Sequence, residues 1–433
     1  MAQSSDRHPT KTDQAKTDQG AIMQSNKMAR FGWALYDWAS SPVPTLHATF
    51  VFAVYFSTTI APENGTFLWS QMTGITALAI AIASVFAGRL ADRRGLIKQS
   101  LSLSVLIGAV AVMALWYATP DPSATSYALI LSALSIFFME ISFVFYNALL
   151  VHLVPKEQMG RLSGIAWGVG YVGAVVALGL ALVIFIMPEV APFGLDKQAA
   201  EHVRATMIFA GAWALIFYLP LFFFVKSPPA TPQKSSYVAD LKQSLSDARK
   251  IPNMVRFLIA RMAFNDGLVT LFALGGIFAA KVHGFSQQDI LIFAISLNVS
   301  AGLGAIAGGW ADDKLGALRT IRLSLYGLIF FGTIAILAPD KFLFWGATLL
   351  LGIFVGPSQS AARSYVAKQA PEDSKASLFG LFMMSGKATS FIGPLLYGWL
   401  VYATGIERAG MAIVVILTVL GLVLLPKENT AKS

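Results

Sequence analysis

The sequence predicts an all-α integral membrane protein of twelve transmembrane helices in two six-helix bundles, with both termini cytoplasmic. Three observations predict it. Of 433 residues, 56% are apolar and only 13% charged, with a mean hydropathy of +0.64, whereas soluble proteins average about 45–50% apolar and about 25% charged. Apolar stretches of roughly 20 residues, each long enough to cross about 30 Å of hydrocarbon, recur from Trp33 onward. A loop motif in one half of the chain returns in the other. This composition excludes a soluble enzyme of two or three domains. The absence of cysteine excludes a disulfide framework, a thiolate metal site and cysteine catalysis.

Residues 1–30 form a polar tail rich in Lys, Asp, Gln and Thr, without the apolar core and cleavage site of a secretory signal. The first bundle, 31–225, holds expected spans at 33–60, 68–88, 99–119, 126–151, 163–187 and 206–225. The second, 254–425, holds spans at 254–280, 289–310, 320–338, 342–362, 376–402 and 408–425, followed by a tail at 426–433. No period-two alternation runs through these stretches, so helices are expected rather than a barrel. The interval 226–253 is polar and opens with Ser227-Pro228-Pro229. There Val238, Leu241, Leu245 and Ala248 fall at helical spacing, which predicts a short amphipathic helix at the inner membrane surface.

Orientation follows from the basic residues, because cytoplasmic loops carry the excess of Lys and Arg. With the N-terminus inside, the outer loops hold only Lys197, Arg204, Lys281, Lys341 and Arg408 of the 32 basic residues. Arg261 and Lys387 lie within spans, and the others fall on the cytoplasmic side. The net charge of +9 is then topology charge facing anionic headgroups, not a nucleic-acid surface.

After the second span stands Gly88-Arg89-Leu90-Ala91-Asp92-Arg93-Arg94-Gly95, and after the eighth stands Gly309-Trp310-Ala311-Asp312-Asp313-Lys314-Leu315-Gly316. Pro155 with Gly164, and Pro371 with Gly380, form a second matched pair after the fourth and tenth spans. Physically this is a tight turn between two membrane helices. Its glycines let the helices approach, its acid (Asp92, Asp313) faces the positive end of a neighbouring helix, and its base (Arg93, Lys314) sits among headgroups. The first copy is expected to act as an inner latch, with Asp92 facing the start of the eleventh helix near 374–377.

The motif resembles the signature Gly-x-Leu-Ala-Asp-Arg-x-Gly of the major facilitator superfamily, which the first copy matches at every defined position. The second copy departs from it at Trp310, Ala311 and Lys314. A closer resemblance, to the vacuole-effluxer-like branch, rests on four segments: Trp33-Ala34-Leu35-Tyr36-Asp37-Trp38-Ala39-Ser40, Tyr146-Asn147-Ala148, Asn265-Asp266-Gly267 and Ser385-Gly386-Lys387-Ala388-Thr389. That branch includes the autophagy-related amino-acid effluxer of fungi and many bacterial members. The resemblance implies a secondary transporter in a bacterial plasma membrane. It would act as a monomer without a cofactor, moving a small polar solute such as an amino acid or peptide, with protons, by alternating access. It also implies a central cavity lined by helices 1, 4, 7 and 10. A drug or metabolite exporter of the same fold, a membrane-embedded enzyme and a non-transporting receptor or scaffold are the alternatives. Five histidines that form no catalytic or metal-binding pattern stand against the enzyme, Gly168 followed by Val169 where the antiporter signature has Gly-Pro stands against the drug exporter, and the absence of a P-loop disfavours primary pumping.

An ionisable side chain at the centre of a membrane helix costs about 2.5–3.5 kcal/mol, so each needs a partner, a watery cavity or a task. Asp37, Glu140 and Asp266 fall on spans 1, 4 and 7, where a carboxyl group can load and release a proton as access alternates. Asp266 lies near mid-membrane, some twelve residues beyond Met254 at about 1.5 Å per residue. As structural alternatives, Asp37 is an acid near a helix start and Glu140 pairs with a polar group on a neighbouring helix. Lys387, deep in the eleventh span, is expected to neutralise a carboxylate or hold that of a substrate. Tyr36, Asn147 and Asn265 complete the candidate lining. Arg261 is expected to snorkel to the interface. Arg363, below Gln359 and Ser360, is either a cytoplasmic gate or an ordinary positive-inside residue. His47 is expected to pack in the core, and Pro42 and Pro44 to kink the first helix and free carbonyls for the cavity.

Overall fold

A computed structural model describes residues 27–154, 156–227, 237–369 and 375–427, with backbone alone at 85–94, 151, 156–161, 163, 164, 237–241, 367, 375–377 and 379. The described residues are helical with short turns, and no strand occurs among them. In the first half, α1 runs Lys27–Ile60, α2 Gly65–Arg94, α3 Ile97–Ala114, α4 Thr125–Leu153, α5 Lys156–Ala181 and α6 Glu201–Phe224. The linker holds α7, Tyr237–Lys250. In the second half, α8 runs Met254–His283, α9 Gln287–Leu315, α10 Ala317–Leu337, α11 Lys341–Gln369, α12 Lys375–Lys387, α13 Ile392–Thr404 and α14 Glu407–Leu424.

Among the described residues, 11 helices are long and apolar enough to cross a membrane. The expected span at 376–402 is not one of them, because it is cut into α12 and α13, of 13 residues each. Its sequence accounts for the cut. Pro394, in the first turn of α13, has no N–H to give the carbonyl of Ser390, and the Ser390 hydroxyl turns back onto the Lys387 carbonyl at 3.0 Å.

The proline pair in α1 is absorbed as a π-helical stretch, Val43–Phe50, followed by a second at Phe56–Ile60. The Trp38 carbonyl, deprived of its helical donor by Pro42, accepts the indole N–H of Trp213 on α6 at 3.0 Å. The Ser41 carbonyl accepts the Thr45 hydroxyl at 2.8 Å. The carbonyl freed by Pro42 therefore serves packing inside the first half. His47 is fully buried and bonded to Ser132 at 2.9 Å, in keeping with a core role. In α7, Ala248 is buried against Met254 and Phe257 while Lys242, Gln243, Arg249 and Lys250 are exposed; the side chains of Val238 and Leu241, expected on the apolar face, lie outside the described residues.

The apolar side chains form three cores, and their membership positions the site. The largest draws on both halves, joining Phe52, Trp69 and Val112 to Leu274, Phe293, Phe344 and Tyr397. The second contains only residues of the linker and second half, such as Phe257, Leu325 and Phe382. The third contains only residues of the first half, such as Trp33, Leu101 and Tyr146. The halves are thus fused at the end away from the chain termini and have separate cores at the end near them. At the fused end α2 and α13 nearly touch: a Cβ on Gly398 would stand 1.8 Å from Ser70 Oγ. Gln71 bonds the Leu395 carbonyl across the same contact at 3.2 Å.

Candidate functional site

The first half supplies an acid held by aromatic packing. Trp33 on α1 stacks on Tyr146 of α4 with ring centroids 4.3 Å apart, and its indole N–H donates to the Tyr146 carbonyl at 2.9 Å. Tyr146 in turn donates its hydroxyl to Asp37 Oδ2 at 2.9 Å. Tyr36, buried beside it, hydrogen-bonds Ser142 Oγ. One turn of α1 and two of α4 therefore fix the Asp37 carboxylate, with Tyr36 as a packed support. Asn147, the neighbour of Tyr146, is exposed.

Glu140, in the middle of α4, meets Lys387 of α12 at 2.5 Å, an ion pair between the halves. The two side chains are 36% and 52% exposed, so the pair faces open space. A second charged contact crosses between the halves nearby: the Arg363 guanidinium of α11 lies 5.5 Å from the ring centre of Trp167 on α5.

The second half supplies a polar chain along α8. Asn265 Nδ2 donates to the Gly386 carbonyl at 2.8 Å, and Asn265 Oδ1 accepts from Gln359 of α11 at 3.3 Å. Arg261 does not snorkel. It is 6% exposed, lies 3.7 Å over the Phe382 ring and donates to the Phe382 carbonyl and Ser385 Oγ. A guanidinium bonded to a carbonyl and a hydroxyl and stacked on a ring is held within the bundle without reaching the interface. Asp266 is bonded within the second half. It is 2% exposed, and both its oxygens accept the Gly393 N–H at 3.2 Å.

The repeated loop motifs are legible in part. Gly95 and Gly316 both take a positive φ, 65° and 84°, where α2 and α9 end. At Gly88, Asp92, Arg93 and 375–377 the backbone alone is described, and Ser374 lies outside the described residues. In the second copy Gly309, Asp313 and Lys314 are exposed. The acid that turns inward is Asp312, which pairs with Lys368 of α11 at 3.0 Å. This corrects the expectation for Asp313. Neighbours on a helix point about 100° apart, and α9 continues to Leu315, so its register aims Asp312 at α11.

A cluster that the sequence reading missed closes the fused end. Glu407, opening α14, accepts the hydroxyls of Thr66 on α2 at 2.5 Å and of Tyr397 on α13 at 3.0 Å. Lys281 of α8 stands 3.9 Å from the same carboxylate and donates to the Pro62 carbonyl in the turn before α2. The available signal was an acid in the first turn of an apolar helix.

Comparison with known proteins agrees with this architecture. Residues 154–433 match the family described as vacuole effluxer Atg22-like. An uncharacterized MFS-type transporter, YxiO, of Bacillus subtilis is 25% identical over 417 residues, 92% of this chain and 95% of that one. Autophagy-related protein 22-1 of Aspergillus fumigatus is 23% identical, over 63% of this chain and 49% of its own length. Among solved structures, the nucleoside transporter NupG superposes with a TM-score of 0.66 at 16% identity, covering 92% of this chain and 97% of that one. That likeness gives the fold: the chain is an all-helical, multi-pass membrane protein of the major facilitator type.

Proposed function

The chain belongs to the vacuole effluxer Atg22-like family, and from that premise we propose that it is a proton-coupled secondary transporter moving a small dipolar solute by alternating access. The observation that carries this reading is the Glu140–Lys387 pair, which joins the two halves beneath their shared core. An ion pair this exposed contributes only about 0.2–1 kcal/mol, so it is made and broken cheaply as the halves rock. The charges around it are segregated. Asp37 and Glu140 stand on the first half, and Lys387 and Arg363 on the second. An amino acid or short peptide, with its ammonium towards the first half and its carboxylate towards the second, answers both sides at once. Asp37 and Glu140 are the groups that exchange protons, and Asn147 and Asn265 are neutral polar contacts. The protein is a carrier and not an enzyme, and it works as a monomer in a bacterial plasma membrane. With both termini cytoplasmic, as the Lys and Arg distribution supports, α12 and α13 together make the eleventh of twelve crossings. The fused end then faces outward and the site opens to the cytoplasm.

The test is uptake into proteoliposomes, with candidates first ranked by thermal shift of the purified protein against amino acids, dipeptides, sugars and nucleosides. The expected result is accumulation of a radiolabelled amino acid or dipeptide that requires an imposed pH gradient and falls at least about tenfold in Lys387→Ala. Accumulation indifferent to the gradient would remove the proton. Uptake of a sugar or nucleoside with no amino-acid flux would remove the dipolar substrate, and binding without flux would make the protein a receptor.

A further inference from the structure

The eleventh crossing is cut at 388–391, and side chains of a single helix hold both cut ends. At the carbonyl end, Arg261 donates to the Phe382 carbonyl at 2.7 Å and to Ser385 Oγ at 2.9 Å, and Asn265 donates to the Gly386 carbonyl at 2.8 Å. At the amide end, Asp266 accepts the N–H of Gly393, the second residue of α13, on both carboxylate oxygens. A helix terminus leaves carbonyls unpaired on one side of a cut and N–H groups unpaired on the other. Here the Asn265 amide faces the Gly386 carbonyl in the last turn of α12 and the Asp266 carboxylate faces the Gly393 N–H, so each end meets the chemistry it lacks, while Arg261 braces α12 through the Phe382 carbonyl and the Ser385 hydroxyl. Close approach completes the grip, since a Cβ on Gly393 would stand 1.9 Å from Thr270 Oγ1 and 3.1 Å from Asp266 Oδ1. Lys387 is the last residue of α12, immediately beside the cut.

We propose that Asp266, with Arg261 and Asn265, is a splint across this discontinuous helix: a positioning residue that holds the cut at 388–391 and so sets Lys387 against Glu140. Discontinuous helices place charged contacts at mid-membrane in other carriers, where an uncut helix would carry its side chains round by about 100° per residue. On this account Asp266 acts through the geometry of the cut, and what it supplies is an acceptor for the Gly393 N–H. The inference rests on the Glu140–Lys387 pair as the inter-half contact of the transport site.

The pair can be read directly in the full-length chain in lipid nanodiscs with a water-soluble carbodiimide, which links a carboxylate and an amine already in contact. The cross-linked peptides are quantified by mass spectrometry. Asp289–Lys341 is the internal control, because it lies 3.3 Å apart at 34% and 50% exposure, close to the 36% and 52% of Glu140 and Lys387. The wild type should give both products. Asp266→Ala should lower the Glu140–Lys387 product at least about fivefold against the control, and Asp266→Asn, which keeps an acceptor oxygen, should hold it within about twofold. Asn265→Ala, which frees the Gly386 carbonyl beside Lys387, should lower it at least about twofold. An undiminished product in Asp266→Ala overturns the splint and leaves the pair standing, and so does an Asn variant as deficient as the Ala one. A wild type that yields the control product alone overturns the pair itself and the splint with it. If Asp266→Ala loses both products through misfolding, Asn265→Ala decides: an intact Glu140–Lys387 product there overturns the proposal.

Discussion

Thr66 in the first turn of α2 donates its hydroxyl to Glu407 in the first turn of α14 at 2.5 Å, tying the two halves together at the end where they share a core. Tyr397 and Lys281 converge on the same carboxylate. Glu407→Ala removes the acceptor from all three, and hydrogen bonds to a charged group are worth about 1.5–3 kcal/mol each when well buried. The side chain is 15% exposed, so a loss near the lower figure is expected, roughly a tenfold shift towards the state open at this end. Because the chain has no native cysteine, a single cysteine at Ser70, buried one turn below Thr66, reports the change cleanly. Its modification by a membrane-impermeant maleimide should speed up about tenfold in the Glu407→Ala background. An unchanged rate would show that the cluster does not hold this end shut.

Gly398→Ala should prevent the same end from closing, since the added Cβ would stand 1.8 Å from Ser70 Oγ. Spin labels on Glu63→Cys and Thr404→Cys, both exposed positions on opposite halves, should show a longer distance distribution in this variant. The obstructing atom belongs to Ser70, so Ser70→Ala in the same chain should restore much of the short-distance population. Lengthening that Ser70→Ala leaves untouched would place the obstruction elsewhere.

Tyr146→Phe keeps the stack on Trp33 and deletes one hydrogen bond, to Asp37. The expected cost is about 1 kcal/mol of stability, against about 3–5 kcal/mol for Tyr146→Ala, which also leaves a cavity. Unfolding midpoints in a detergent titration measure the difference. If Tyr146 orients Asp37 for substrate, the Phe variant should also raise the KM for uptake several-fold at nearly normal Vmax. Equal loss of stability in the two variants would mean that the stack contributes little.

Glu140→Ala, Lys387→Ala and the double variant form a cycle. Because the pair is half exposed, the coupling in folding stability should stay below about 1 kcal/mol, as for exposed ion pairs. In substrate affinity the two effects should be strongly non-additive, since either single variant leaves one charge of the site unanswered. Additive effects on affinity would separate the two residues functionally.

Much of the fold was legible because it depends on residues counted locally. The positions of most helices follow from runs of apolar side chains, and the positive φ of Gly95 and Gly316 from glycines of a repeated motif. The eleventh crossing was misjudged because a mean of apolarity is blind to where hydrogen bonds stop. Pro394 and Ser390 were visible, but neither forces a cut in a helix that could have kinked. The site was legible by composition only. Spacing could not tell Asp313 from Asp312, because the choice rests on the rotation of α9 against α11, and Arg261 could not be known to lie beneath Phe382 until α8 and α12 were seen together.

By itself the sequence determined that this protein lives in a membrane, roughly where most of its helices run, and which ionisable groups lie deep enough to require a reason. Those properties sum over neighbours along the chain, through hydrocarbon length, charge and the hydrogen bonds a helix makes within itself. Only the tertiary structure decided which of the deep charges meet. Glu140 and Lys387 are 247 residues apart, and their contact depends on the rotation, crossing and breakage of helices from opposite halves. That Asp266 meets the Gly393 N–H at the start of α13 depends on helix packing in the same way. A side chain's direction is set by the packing of its helix against others, which no local pattern encodes.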